Sequence, residues 1–392
     1  PGDTPLLRSE TIAALVAEHR LSDAACTILT ARMADPTGYG RVVRAGKDER
    51  VTRIVEQADA TPDEAAIDEI NTGIFCFRRS LLAPALRRLE PDNAQGELYL
   101  TDAVAHAVAG GTRVSALAVL DTWAVEGVND RVQLAALHRE LNRRTLERHM
   151  RAGVTVIDPG STWIDLDVTL GRDVTLEPNT ILRGTTSIGS NTVIGPNCQL
   201  ADTAVGEGAE VTNTTAVGAI IGPEATVGPY TYLRPGTVLG RKAKAGGFVE
   251  LKQAELGDGA KVPHLSYVGD ATIGAGANIG AGTIFANYDG VTKRHTTVGE
   301  HSFVGSDSVL VGGVRIADGA YVAAGSTVTV DVGPGELAVA RGKQRNIAGW
   351  VARRRAGTRT ATAAERAAQP ARAAQAAPPG EVAHVDEEGS AR

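Results

Sequence analysis

The sequence predicts two fold classes in one chain: an α/β layer followed by an all-β parallel solenoid, with one long helix between them. Three observations predict this. Apolar residues recur every six positions at Ile164, Leu170, Leu176, Leu182, Ile188, Ile194 and Leu200. Short helical and strand-like patterns alternate over residues 1–129. Between them, Asp130 to Met150 is rich in charge and carries Leu134, Leu137 and Leu141 on one helical stripe, the pattern of a helix that bridges two domains. The expected boundaries are 1–129 for the front domain, 130–152 for the linker helix, 153–355 for the solenoid and 356–392 for a structureless tail.

In chain order, Ser9 to His19 carries Ile12, Leu15 and Val16 at helical spacing, with Ser9 as its N-cap. Ala24 to Leu29 reads as a strand, and Asp35 to Gly40 as a loop. Arg41–Arg44 and Val51–Val55 form a hairpin around Gly46-Lys47-Asp48. Glu69 to Phe77 is a strand, Leu81–Leu89 and Leu98–Val108 are helices, and Val114 to Ala124 is strand-like. Alternation of this kind predicts a mostly parallel sheet.

A period of six fits neither an amphipathic helix nor an alternating strand. It fits a hexapeptide solenoid, in which one side chain per hexad points inward and three hexads close a coil. The ladder continues at Ile221, Val227, Leu233 and Leu239, then at Leu256, Val262 and Val268, then from Val298 to Val328. Coils stacked about 4.8 Å apart give room for roughly nine between Ile164 and Val328. Two breaks stand out: a mild slip over Ala243–Val249, and a larger one between Ile279 and Val298. The larger holds Asn287 to Arg294 with an Asp289-Gly290 turn, and corner insertions of this kind tend to carry function.

A net charge of −6 over 392 residues offers no global attraction to nucleic acid or an anionic membrane. No apolar run approaches membrane-spanning length. Cys26, Cys76 and Cys198 lack metal spacing and read as buried free thiols of a reducing, cytoplasmic compartment. The chain opens at Pro1 without Met, and Gly2 to Leu7 reads as the interior of a longer unit.

Candidate chemistry gathers in the solenoid. His264 stands off the inward register set by Val262 and Val268, beside Tyr267, and could act as a base. On spacing alone an ordinary surface histidine is the more frequent outcome. Arg234, Lys252 and Lys293 could hold a phosphate or could be solvated charge. Asn278, Asn287 and Tyr288 could equally be turn residues. In the front domain Asp3 and Asn129 are possible oxygen ligands for a hard cation, although Asn129 is also placed to cap the linker helix.

The stretches GDTPLL, PTGYGR, IVEQADAT, NTGIF, NAQGELYLTD, GVNDRVQL, YTYLRPG, FVELK, HLSYVGDATIGAGANIGAGTI, NYDG, GSDS and RGKQRN together resemble one family. It is that of the bacterial bifunctional N-acetylglucosamine-1-phosphate uridyltransferase/glucosamine-1-phosphate N-acetyltransferases. The resemblance covers Pro1 to about Arg355 and implies a partial Rossmann-like nucleotidyltransferase domain, the linker helix and a left-handed parallel β-helix. It implies acetyl transfer from acetyl-CoA to glucosamine 1-phosphate, and uridylyl transfer from UTP to N-acetylglucosamine 1-phosphate with Mg²⁺. The product would be UDP-N-acetylglucosamine, a cell-envelope precursor.

By this resemblance His264 is the base, and Arg234, Lys252, Tyr267 and Asn278 contact the sugar phosphate. Ala281, Asn287, Tyr288, Ser306, Ala324 and Arg341 line the acetyl-CoA site. Lys293 reaches in from a neighbouring subunit of a homotrimer. Asp3 and Asn129 hold Mg²⁺, and Gly40, Glu56, Asn71 and Asn129 contact UDP-N-acetylglucosamine. The family's Gly-rich nucleotide loop finds no match in the sequence as it begins at Pro1, so the expectation for this chain is an impaired uridylyl half. Two other readings remain: a sugar-nucleotide pyrophosphorylase with a regulatory solenoid, lacking the HLSYVGD and NYDG pairing, and a non-catalytic trimeric scaffold or sensor.

Overall fold

The computed structural model describes residues 2–47 and 49–375. These fall into two compact units, Pro1–Val339 and Ala340–Arg392.

In the first unit the front layer runs α1 (Ser9–Leu21), β1 (Cys26–Arg32), β2 (Gly40–Ala45), β3 (Arg50–Val55), α2 (Pro62–Ala65), β4 (Glu69–Phe77), α3 (Arg79–Leu86), α4 (Asp102–Ala109) and β5 (Val114–Val119). The sheet order is β3-β2-β4-β1-β5. It is mixed, not mostly parallel: β1 and β5 run parallel, while β1–β4, β2–β3 and β2–β4 are antiparallel. The β2–β3 hairpin reverses the chain locally, and β4 returns beside it, so only one crossover in this part can give a parallel pair. Two apolar clusters cover the faces of the sheet, one around Leu15, Leu29 and Ile70, the other around Ile28, Val42 and Val104. Ser9 is the first helical residue of α1; its N-cap is Arg8, with no side-chain cap bond.

The linker helix α5 spans Arg131–Arg151. Its cap is Asp130, whose Oδ1 accepts from the Val132 and Gln133 amides at 2.8 Å each. Asn129, expected as an alternative cap, is therefore not consumed in that role. Leu137 is buried as expected, but Leu134 is exposed. Polar groups fix the helix at both ends of its job. Asn142 donates to the Thr162 carbonyl at 2.8 Å and accepts from the Ile164 amide at 3.0 Å, which docks α5 on the first solenoid coil. Arg144 grips Asp121 of the front layer through two bonds of 2.7 and 2.8 Å. It also bonds Glu140 at 2.6 Å.

The hexad ladder folds as a parallel β-solenoid. One face carries eleven parallel strands among the described residues, from Thr155–Val156 to Leu337–Ala338, so pairing begins before Ile164 and continues past Val328. The inward residues form one continuous apolar core. A second regularity closes the corners: a Thr or Ser two positions before the inward residue donates back to the carbonyl three residues earlier. Thr180 to Glu177, Thr237 to Arg234, Thr283 to Gly280 and Ser308 to Gly305 all do so at 2.7 Å. These buried hydroxyls thus satisfy themselves without water.

The register differs from expectation in one instructive place. Ala243–Val249 holds no slip, because Ala245 stands inward and pairs with Val227 and Val262. A small residue in the ladder had disguised the period. The shortening falls next door: Leu251 and Leu256 are five apart, as are Val268 and Ile273, and the strands Glu250–Leu256 and Tyr267–Ile273 bend through a corner. Phe285 is also inward, so the large break is an excursion between Ala286 and Thr296.

The second unit holds α6 (Trp350–Arg354) and α7 (Arg359–Gln375). The Arg355 guanidinium lies over the Trp350 ring at 5.2 Å. The expected structureless tail is corrected for residues 359–375, which are helical; residues 376–392 lie outside the described residues. Ala, Arg, Gln and Glu are strong helix formers, and the missing apolar period only meant that no core face is required.

Candidate active site

The corner that carries His264 is built by stacking. The Leu265 amide donates to the Gly247 carbonyl (2.9 Å), Gly282 to His264 (3.3 Å), Asp307 to Ala281 (2.8 Å) and Gly325 to Ser306 (2.8 Å). These bonds place His264, Ala281, Ser306 and Ala324 one above another on successive coils. The imidazole is exposed at the foot of a column of small side chains. Ser266 fixes the turn by donating to the His264 carbonyl at 2.7 Å. The His264 ring makes no hydrogen bond among the described residues, which leaves a nitrogen lone pair available.

Around the corner lies a charged cluster. Tyr232, Glu250, Tyr267 and Ile284 form one outward row by strand register. Arg234 donates to Glu250 at 2.9 Å. Lys252 lies 3.3 Å from each carboxylate oxygen of Asp270, and Asn287 also donates to that carboxylate. The neighbouring Lys252 ammonium, with further repulsion from Arg234, pushes the Lys293 pKa below its ordinary value. Three cations therefore converge where two carboxylates balance them incompletely, and an anion entering there would relieve the repulsion. Within one chain the Lys293 ammonium already lies close enough to Lys252 to feel its charge. The excursion turns back sharply enough for this, with Tyr288 bridged to Lys293 and Arg294 donating to the Asn287 carbonyl at 2.8 Å.

Gly269 is what lets these groups meet. A Cβ there would stand 2.4 Å from the Tyr267 hydroxyl and 2.7 Å from Asn287 Nδ2. Asn278 lies on the adjoining face in register with Lys261 and Phe303, separate from the Lys252 cluster. Arg341 belongs to the second unit.

In the front layer Gly40 pairs with Asn71, and a Cβ on Gly40 would lie 3.0 Å from Glu56 Oε2. Glu56 accepts from Thr101 at 2.9 Å. Thus Gly40, Glu56 and Asn71 come together. The Asp3 carbonyl accepts from the Val128 amide at 2.9 Å, which sets Asp3 beside the residue before Asn129. The Tyr39 hydroxyl reaches the Gly127 amide at 3.4 Å and links the two groups. The Asp3 carboxylate and the Asn129 carboxamide are hard oxygen donors. They suit Mg²⁺, which typically takes one or two protein oxygens and completes its shell with water and phosphate.

Sequence reasoning missed Asp270, Glu250, Gly269 and the buried Arg41, whose Nη2 donates to Gln57 at 2.8 Å. Eighteen-residue counting from Arg234 and Lys252 lands on Asp270, but one residue off the register, because Lys252 pairs with Gly269.

An α/β nucleotidyltransferase layer joined to a hexapeptide solenoid defines a two-part transferase. The nucleotidyl transferase family model matches residues 4–165, and the bacterial transferase hexapeptide (six repeats) model matches residues 295–329. The chain is 54% identical over 93% of its length to the Bifunctional protein GlmU of Mycobacterium sp. (strain KMS), covering 73% of that protein. It is 55% identical over 93% of its length to the Bifunctional protein GlmU of Streptomyces avermitilis, covering 76% of it. The same protein of Corynebacterium efficiens is 54% identical over 93% of this chain and 74% of its own length. The chain belongs to the bifunctional GlmU family, whose two halves carry out acetyl transfer and uridylyl transfer to give UDP-N-acetylglucosamine. No helix among the described residues is long and apolar enough to cross a membrane.

Proposed function

We propose that the solenoid transfers an acetyl group from acetyl-CoA to the amine of glucosamine 1-phosphate in the cytoplasm. The carrying observation is His264, which heads the stacked column Ala281, Ser306 and Ala324 and stands three residues before Tyr267, a strand partner of the Glu250 that Arg234 holds. The cations of Arg234, Lys252 and Lys293 hold the sugar phosphate. Tyr267 and Asn278 orient the sugar. The column Ala281, Ser306 and Ala324 receives the thioester arm, with Asn287 and Tyr288 contributing to acetyl-CoA binding.

The reaction needs a neutral amine. His264 takes its proton as nitrogen attacks the thioester carbonyl; the C–S bond then breaks and the imidazolium returns that proton to the departing sulfur, so that coenzyme A leaves as the thiol. Holding both substrates at one corner supplies orientation that solution lacks. The exposed apolar corner beside His264 supports assembly as a homotrimer.

The front layer serves uridylyl transfer from UTP to N-acetylglucosamine 1-phosphate. Gly40, Glu56, Asn71 and Asn129 contact the nucleotide sugar, and Asp3 with Asn129 would hold Mg²⁺. That ion, when bound, neutralises phosphate charge.

The direct test supplies acetyl-CoA and glucosamine 1-phosphate and follows thiol release together with formation of N-acetylglucosamine 1-phosphate. Equal release with and without the sugar phosphate would refute the acceptor assignment.

A further inference from the structure

Outside both sites, α5 and the first solenoid coil enclose a cleft of about 890 Å³. Its walls include Trp123, Arg139, Arg143, Leu146, Met150 and Trp163. Trp123 comes from the short 3-10 turn Thr122–Val125 at the end of the front layer. Trp163 lies on the second solenoid strand, Trp163–Ile164, with its ring 4.9 Å from that of His138 on α5. Two indoles from opposite sides of the joint thus face one space, with Leu146 and Met150 as apolar floor. The volume falls in the range of small-molecule sites.

The charges on its rim are not equivalent. Arg143 is committed to Glu140 at 2.7 Å and to Glu147 at 3.0 Å, and Glu147 is further bonded by Arg151. Glu140 is also held by Arg144, and these guanidinium groups keep it ionised with a pKa of about 2. Arg139 differs: its guanidinium has no hydrogen bond or ion pair among the described residues. A planar cation and two aromatic faces around an apolar floor recognise a flat ring that carries a negative group.

The geometry points to a second ligand site at this joint, selective for a planar aromatic anion such as an aromatic sulfonate or carboxylate. The ring packs between Trp123 and Trp163, and the anionic group meets Arg139. Occupancy would tie the front layer to the solenoid across α5. This assignment is independent of the acetyl-transfer reading.

The test titrates the full chain with anilinonaphthalene sulfonate and follows energy transfer from tryptophan. Saturable one-to-one binding is expected. Arg139→Ala should weaken it about tenfold, the loss of one charge-assisted contact. The uncharged relative phenylnaphthylamine should bind the parent and Arg139→Ala equally. Trp163→Leu should abolish binding of both probes. Should that variant fail to fold, Arg139→Ala, at an exposed position, still decides. Equal sulfonate affinity in the parent and Arg139→Ala, or binding that never saturates, overturns the assignment.

Discussion

Lys252 and Asp270 form an ion pair whose side chains are only 16% and 15% exposed, whereas the Arg234–Glu250 pair of the same cluster is 38% and 40% exposed. The shielded pair is the hub of the cluster: Asp270 also holds Asn287, and Lys252 also crowds Lys293.

Removing Lys252 should act on Lys293 in a defined direction. The Lys252 ammonium is the main cause of the depressed Lys293 pKa, so Lys252→Ala should raise it towards the ordinary lysine value. An NMR titration of labelled lysine side chains checks this. The same variant should raise the KM for glucosamine 1-phosphate by roughly tenfold or more, because a charge-assisted contact is lost. A Lys293 titration unchanged by the substitution would show that the two ammonium groups do not meet.

Gly269→Ala adds one methyl group where the Tyr267 hydroxyl and the Asn287 amide already stand too close for it. Overpacking of this sort costs about 1–3 kcal/mol. The variant should unfold at lower urea and show a raised KM for the sugar phosphate. A parent-like midpoint together with a parent-like KM would mean that Tyr267 is elsewhere in solution.

The corner next to His264 carries an unusual row. Tyr230, Phe248 and Leu265 adopt φ of 58°, 57° and 50°, a left-handed conformation that Asn, Asp or Gly fills on the coils before and after, as at Asn213, Gly282 and Asp307. All three are about 60% exposed, and the Tyr230 and Phe248 rings stack at 5.0 Å. Leu265→Asn suits that backbone better and should stabilise an isolated chain by about 1 kcal/mol. Urea unfolding at low protein concentration measures it; a clear loss of stability would contradict the strain argument.

Glu140 ties α5 to its surroundings through Arg143 and Arg144, which hold its pKa at about 2 against an ordinary 4.5. A depressed carboxylate contributes stability that is complete above the ordinary pKa and is lost as pH falls towards the folded value. The contribution should therefore fade between pH 4.5 and about 2. Glu140→Gln should flatten the acid unfolding curve in that window. Parallel curves for parent and variant would rule the linkage out.

Much of the architecture was legible because a solenoid writes its period into the sequence. Ile164 to Leu200 keeps strict sixfold spacing, and the buried hydroxyl two places ahead of many inward residues repeats with it. What escaped was local. Ala245 hid an intact register behind a small side chain, while the five-residue steps at Leu251–Leu256 and Val268–Ile273 shortened a coil to seventeen residues, so that Lys252 pairs with Gly269. Strict period counting places Asp270 directly above Lys252, one residue away from the actual register. In the front layer, strand existence could be read but partner direction could not, since that depends on which strands the hairpin brings together. Lys293 was named from the sequence, but the fold of its excursion was not legible, since it depends on the Asp289 side chain, which accepts from the Val291 and Thr292 amides at 2.9 and 2.7 Å.

The central claim is that His264 accepts the proton from the attacking amine. The most direct measurement is kcat for acetyl transfer by His264→Ala across neutral pH, with KM for both substrates determined alongside. The predicted result is a fall in kcat on the order of 10²–10⁴-fold with KM little changed, since a base acts in the transition state and not in ground-state binding. A kcat close to that of the parent would contradict it.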